Sequence, residues 1–432
     1  MATMLAMNNH EVGIYDADFD KNFIGRSGNY EYTFSNHQLI VDALKSDNHY
    51  VWKEIEEMIK GFNPHVVGIT TMTNKYPMAG KIAHIVKTLN QDIRVVIGGH
   101  HASIFGERLL RDDNNIDFAV IGEGEMTFLE LVNRMCESRG NFSNIRGLVY
   151  RAGKEIISTP QRELLRDLDA LPIADRGLMI NEGYISDNNI MTSRGCPFHC
   201  SYCGAQVLWK RKVRRRSVSD VMKEVEYLVR LSSSPNISFW DDSFTADRRY
   251  LAELMKELKR IDGLRFSCIT RLDLVDGESL SWLRGAGCAS ILFGIESGSD
   301  GILRSMNKRM TTDSMKRKVD LVNKSGITWL GFFMMGYPGE TKENILETLR
   351  FMKELNPPYA EINVFNPLPG TTVWDDLEKQ GVVKGDTDFT KYSQSSLENY
   401  FISDITDHEF KELALFMARE FDKHNGAHYG SE

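Results

Sequence analysis

The chain has 432 residues, of which 42% are hydrophobic and 26% charged, with a formal net charge of -8. Its length exceeds what one hydrophobic core usually supports, so two domains and a small third are expected. The acidic balance speaks against a nucleic-acid surface, and no apolar run reaches the length of a membrane span. The opening MATMLAMNNHEVG lacks the charged and apolar regions of a secretory leader, so a cytoplasmic protein is expected.

From Glu11 to about Tyr150, short apolar runs alternate with amphipathic stretches. Val12–Tyr15, His65–Thr70, Arg94–Ile97 and Phe118–Ile121 read as strands, being short, rich in Val and Ile and bounded by turn residues. Trp52–Gly61, Met78–Leu89 and Thr127–Arg139 read as helices between them. Such alternation predicts an α/β fold that opens with a doubly wound parallel sheet, over residues 1–150. Ligands of these sheets bind at the carboxyl ends of the strands. Those ends carry Thr70 and Thr71, Gly98-Gly99-His100-His101, and Gly122-Glu123-Gly124-Glu125. Glycine there permits close backbone approach to a ligand, and a plain turn explains it nearly as well.

Residues 151–188 are less regular and read as a connector. A second alternation follows over 189–374, with strands at Ile190–Ser193, Ile237–Asp241, Phe266–Thr270, Ser290–Glu296, Thr328–Met335 and Glu361–Phe365. Helices such as Val218–Leu231 and Tyr250–Arg260 lie between them. Six strand–helix units predict a partial (β/α)6 barrel with its chemistry at the C-terminal rim. The remainder, 375–432, reads as a mostly helical tail.

Cys196, Cys200 and Cys203 stand in a C-x-x-x-C-x-x-C run just after the first barrel strand. Structural zinc normally adds a second, distant ligand pair to a C-x-x-C, and none is present. A 4Fe–4S cluster usually takes four cysteines, so three leave one iron open to a substrate or cofactor. Clustered free thiols also suit a reducing compartment. Cys136, Cys268 and Cys288 sit singly and read as small core residues.

The cysteine spacing and its neighbours, Arg194-Gly195-Cys196-Pro197 among them, resemble the signature of the radical S-adenosylmethionine (SAM) superfamily over roughly Asn189 to Trp374. The resemblance implies a 4Fe–4S cluster whose open iron holds SAM, with reductive cleavage releasing a 5′-deoxyadenosyl radical. It implies that Tyr202 lies against the adenine and that Asp241 and Asp242 meet the methionyl amine, since a carboxylate suits an ammonium partner. Helix capping is an equally available role for Asp242. Arg271 would meet the SAM carboxylate or ribose, and Glu296 the ribose hydroxyls. Gly336-Tyr337-Pro338-Gly339-Glu340-Thr341 and Pro367-Leu368-Pro369-Gly370-Thr371 follow the fifth and sixth strands as in the family. The basic run Lys210–Arg216 either solvates a face or, through Arg214 or Arg216, helps position SAM or substrate.

The first domain resembles the cobalamin-binding domain of one large radical SAM subfamily. Thr70, Thr71, Gly98, Gly99, His100, Gly122, Glu123 and Gly124 would cradle the corrin. Asp47-Asn48-His49 approaches the lower-ligand motif D-x-H-x-x-G, but Trp52 stands where its glycine belongs, so His49 is read as opening a helix. The implied function is cobalamin-dependent methyl transfer to carbon of a small molecule, with flavodoxin or ferredoxin as electron donor. Radical dehydration, deoxygenation or rearrangement, as of a sugar diol, shares the architecture. A tRNA methylthiotransferase would need three more N-terminal cysteines and a basic tail, and a non-catalytic sensor would need no open iron. No motif names a catalytic side chain or the substrate.

Overall fold

The computed structural model describes residues 1–17, 29–137, 141–181, 188–231, 236–384, 388–398 and 401–429. The last three residues of the expected helix Thr127–Arg139 include positions 138 and 139, outside the described residues; the helix itself runs Glu125–Cys136.

The first sheet has the order β1 (Val66–Thr70), β2 (Arg94–Gly98), β3 (Phe118–Val120), β4 (Leu148–Ala152), β5 (Glu155–Ser158). β1 to β3 are parallel, paired for example as Val66 with Arg94 and Val96 with Phe118, and β4 and β5 add an antiparallel hairpin. Successive strand side chains point to opposite faces, and both faces are covered. Val95, Ile97, Ala119 and Val149 pack under the helices Tyr50–Phe62, Tyr76–Leu89 and His100–Asp112. Val96, Phe118, Val120, Leu148 and Tyr150 pack against the helix Glu125–Cys136.

Two expectations change here. Val12–Tyr15 joins no sheet; Ile14 instead bridges to Met179, exchanging backbone hydrogen bonds with Leu178 and Ile180. The sheet also continues past residue 150, because Gly153, at φ +65°, turns the chain back into β5 before the irregular stretch begins.

The second sheet holds six parallel strands: β6 (Asn189–Ile190), then, after two short strands β7 (Ser193–Arg194) and β8 (Arg214–Arg215) that pair with each other, β9 (Asn236–Phe239), β10 (Arg265–Thr270), β11 (Cys288–Glu296), β12 (Thr328–Met335) and β13 (Tyr359–Val364). Their order is β13-β12-β11-β10-β9-β6, an open, partial barrel. Alternate residues such as Trp329, Phe333 and Met335 are buried in the outer helical layer, while Leu330, Phe332 and Met334 stay half-exposed on the other face. The edge at β13 is closed by the helix Asp407–Tyr429, whose Asn425 accepts from Ala360 N and donates to Ala360 O, both at 2.9 Å. No helix among the described residues is long and apolar enough to cross a membrane.

Candidate active site

The cysteine loop leaves β7 and returns to β8, a two-rung ladder in which Arg194 pairs with Arg214. Gly195 begins the loop at φ +100°, where a β-carbon would collide with the Lys212 carbonyl oxygen, so only glycine fits. Its N–H donates to Asp242 at 2.9 Å. Further along, Cys203 N bonds Cys200 O, Ser201 N bonds Met306 O, and Asn307 Nδ2 donates to His199 O at 2.8 Å. Cys200 is buried, and the other two thiols are half-buried. Burial pushes the Cys196 thiol up and that of Cys203 up to about 12, and since a metal takes the thiolate, ligation here would release those protons.

Among the described residues no three His, Cys, Asp or Glu side chains converge on a point one metal ion would fill. A cluster asks for something else, because each thiolate ligates a separate iron. An all-sulfur donor set, one thiol buried and two half-buried, on a braced loop fits that demand.

Around this loop stand the side chains assigned to SAM. Arg271 lies closest: Nη1 is 3.4 Å from Cys200 Sγ, the guanidinium sits 3.9 Å from the Phe198 ring centre, and Asp273 binds it two-pronged at 2.9 Å. Tyr202 donates to Glu296 at 2.9 Å, and Lys308 Nζ meets the same carboxylate oxygen at 3.0 Å. Glu296 holds φ +72°, an uncommon conformation for a side chain of its size, at a β-bulge between β11 and β12. Burial and the neighbouring Glu296 carboxylate raise the Tyr202 phenol well above its usual range.

Asp241 departs from the expected role. It is 1% exposed and accepts from Thr192 N at 3.1 Å, Thr192 Oγ1 at 2.8 Å and Ser193 Oγ at 2.5 Å. Its carboxyl is thus occupied by Thr192 and Ser193, which lead into the cluster loop, rather than turned to a ligand. Asp242 braces Gly195 in the same way, and burial raises both acids.

At the first sheet, Thr71, Gly98 and His101 knit the loop ends together: Thr71 N bonds Gly98 O and His101 N bonds Thr71 O. Thr70 is exposed beside them. A β-carbon on Gly99, at φ +94°, would lie 2.7 Å from Thr71 O, whereas one on Gly98 meets nothing nearer than 3.9 Å. Gly122, at φ +79°, opens onto free space, and its N–H is held by Ser103 Oγ at 2.9 Å. These carboxyl ends leave backbone accessible, as a flat cofactor requires. His100 Nε2 lies 3.4 Å from Gly204 O, directly after Cys203, and a β-carbon on Gly204 would press on that ring. His49 caps a helix through Val51 N, as expected.

Glu123 is not free to meet a corrin. Its carboxylate, 7% exposed, binds Arg194 and Arg214 at 2.7 Å and accepts from Leu165 N at 2.8 Å. Burial alone would raise this acid, but the two guanidiniums hold it below the usual carboxylate range. Gly124 sits against Val120. The basic run divides accordingly: Arg214 faces Glu123, Arg215 faces Asp247, and Arg216 pairs with Asp220 and Glu224. Arg194, Lys308 and Phe198 are the site residues that sequence reading left without individual roles. Arg194 carried a signal, a cation opening the recognised cysteine motif, but its partners lie far off in sequence.

Residues 190–352 match the radical SAM superfamily, and residues 1–132 match the B12 binding domain. The chain is 33% identical over 342 residues to an uncharacterized methyltransferase of Pyrococcus horikoshii, covering 78% of this chain and 74% of that one. The chain therefore belongs to the radical SAM superfamily, in the branch that carries an N-terminal B12-binding domain, and is a radical SAM enzyme. Membership brings its cofactor set: a 4Fe–4S cluster, SAM and cobalamin. The anaerobic magnesium-protoporphyrin IX monomethyl ester cyclase of Rubrivivax gelatinosus is 30% identical over 82% of this chain and 65% of its own. In fold, the chain resembles the radical SAM methyltransferase TsrM from Kitasatospora setae, at a TM-score of 0.68, 18% identity, and 90% and 85% coverage of the two chains. The cobalamin-dependent SAM radical enzyme OxsB follows at 0.66, with 16% identity and coverage of 84% and 59%.

Proposed function

We propose that this enzyme transfers a methyl group to a carbon of a small-molecule substrate. The observation that carries this reading is the direct apposition of the two cofactor loops, His100 against Gly204 and Glu123 against Arg194. When bound, the reduced cluster with SAM supplies a 5′-deoxyadenosyl radical, and cobalamin supplies the methyl group. Cys196, Cys200 and Cys203 hold the cluster, and Asp241 and Asp242 fix the backbone from which that loop springs. Arg271, already against Cys200, offers its charge to the SAM carboxylate; Tyr202 and Glu296, kept in place by Lys308, frame the adenine and ribose. Thr70, Gly98, Gly99, His100 and Gly122 give the corrin its backbone seat, with Thr71 shaping it from beneath.

An apolar layer of Tyr337, Phe365, Trp374, Phe389 and Tyr392, with Tyr76 and Phe105 of the first domain packed on it, joins the two domains. A flavodoxin or ferredoxin of the cytoplasm would deliver the electron.

The second reading, radical chemistry without methyl transfer, is supported by the cyclase among the relatives. The two separate in one experiment: anaerobic incubation of reconstituted protein with SAM, reductant, hydroxocobalamin and a panel of small-molecule acceptors, followed by mass analysis of the SAM products and of acceptors that gain a methyl group. Formation of both S-adenosylhomocysteine and 5′-deoxyadenosine is expected. Only 5′-deoxyadenosine favours the second reading, and neither product overturns both.

A further inference from the structure

We infer that Glu123 is a positioning residue that couples the corrin loop 122–125 to the root of the cluster loop, so that occupancy of the first domain is felt at Cys196. The inference rests on the reading that the first sheet seats cobalamin.

One carboxylate spans both strands of the small ladder. Arg194 Nη1 and Arg214 Nη1 each meet Glu123, and these two arginines are register partners on β7 and β8. Glu125 adds a second contact to Arg194 Nη2 at 2.7 Å. Arg194 stands two residues before Cys196, so the acidic pair of the corrin loop grips the chain at the point where the cluster loop departs.

Nothing else described could replace Glu123 on the second strand. Arg214 is 10% exposed, its Nη1 donates otherwise only to Leu165 O, and its Nε and Nη2 are buried without an acceptor. The Trp209 ring lies 5.5 Å from that guanidinium and 5.8 Å from that of Arg194, fixing both from the other side. A pair so buried differs from a surface ion pair, since removal of one partner leaves an uncompensated charge.

The root of the cluster loop cannot absorb a displacement. Gly195 is wedged on Lys212 and its N–H is tied to Asp242, so a shift of Arg194 passes to Cys196 instead of dying in a flexible joint. At the other end, Gly122 presents open space and a left-handed backbone where a ligand of the sheet would press. Force on that loop reaches the cluster through Glu123, and coupling of this kind is reciprocal.

The test is hydrogen exchange by mass spectrometry on the full-length, anaerobically reconstituted protein, with and without hydroxocobalamin. In the wild type, hydroxocobalamin should slow exchange both in peptides of the first sheet and in the peptide spanning 194–204. In Glu123→Gln the first effect should remain and the second should shrink by roughly fivefold or more. Arg214→Lys keeps the charge but loses the planar guanidinium held between Glu123 and the Trp209 ring, and serves if the first variant does not fold; the same selective loss is expected. Undiminished protection at 194–204 in a variant whose visible spectrum shows bound corrin overturns the coupling. A wild type that takes up no corrin overturns the cobalamin reading and the inference with it, and the spectrum tells the two failures apart.

Discussion

Replacing Asp241 by alanine should cost the protein its cluster, not merely its grip on SAM. The carboxylate receives three hydrogen bonds, from Thr192 N, Thr192 Oγ1 and Ser193 Oγ, in a site 1% exposed. Alanine leaves those three donors without an acceptor in a space closed to water. A buried donor left unmade costs about 1–3 kcal/mol, and the two hydroxyls can partly turn elsewhere, so the total comes to about 3–5 kcal/mol. For a domain of this size that is a fall in melting temperature of roughly 6–20 °C. The same bonds hold the backbone between β6 and the cluster loop, so iron content should fall with stability. Asp241→Asn, which keeps one acceptor oxygen, should lie between. The assay is thermal unfolding by circular dichroism beside iron and sulfide analysis after reconstitution. A variant with wild-type melting and about four irons per chain, but weakened SAM binding, would refute the reasoning and return Asp241 to the ligand.

Other expectations follow from the same geometry. Gly99→Ala should abolish corrin uptake and loosen the first domain, because its β-carbon would meet Thr71 O at 2.7 Å, while Gly98→Ala should leave both intact; visible spectra and melting curves check the pair. Arg271→Ala should weaken SAM binding by roughly tenfold to a hundredfold, read by calorimetry, through loss of a charge-assisted contact. Glu340, fully buried between Gly336 N and Tyr337 N, has its carboxyl pushed up to about 8 by burial. The folded state therefore holds the proton longer than the unfolded one, and stability should fall as pH rises from about 4.5 to 8, by at most about 1.4 kcal/mol per pH unit. Glu340→Gln should remove that part of the slope in melting curves taken at successive pH values, and an unchanged slope refutes it.

The parallel strands were legible because their Val- and Ile-rich runs end at glycines and polar turns. Thr328–Met335 is a strand with the expected bounds, and Phe266–Thr270 gains only Arg265. The hairpin at 148–158 was hidden in a stretch read as connector, although Ala152-Gly153-Lys154-Glu155 between two apolar runs is a turn signal. Val12–Tyr15 misled because four apolar-leaning residues suit any extended partner, and theirs is the connector. The cysteines announced themselves through local spacing. The employment of Asp241 and Glu123 did not, since each is decided by partners about fifty to ninety positions away: the pairing of β6 with β9 brings Thr192 to Asp241, and the packing of the two domains brings Arg214 to Glu123.

Asn425 deserves its own consequence. A side-chain amide offers one acceptor and one donor in the spacing of a peptide group, so its double bond to Ala360 acts as a single rung of a missing strand. At that rung the barrel is finished by a side chain, not by another strand, and farther along the same edge Gln394 O takes Val364 N. An unfinished edge invites a strand from a neighbouring copy. Trimming the terminal helix before Asn425 should therefore yield a chain that associates with itself, and loss of activity in such a truncation would report clumping before it reported anything about catalysis.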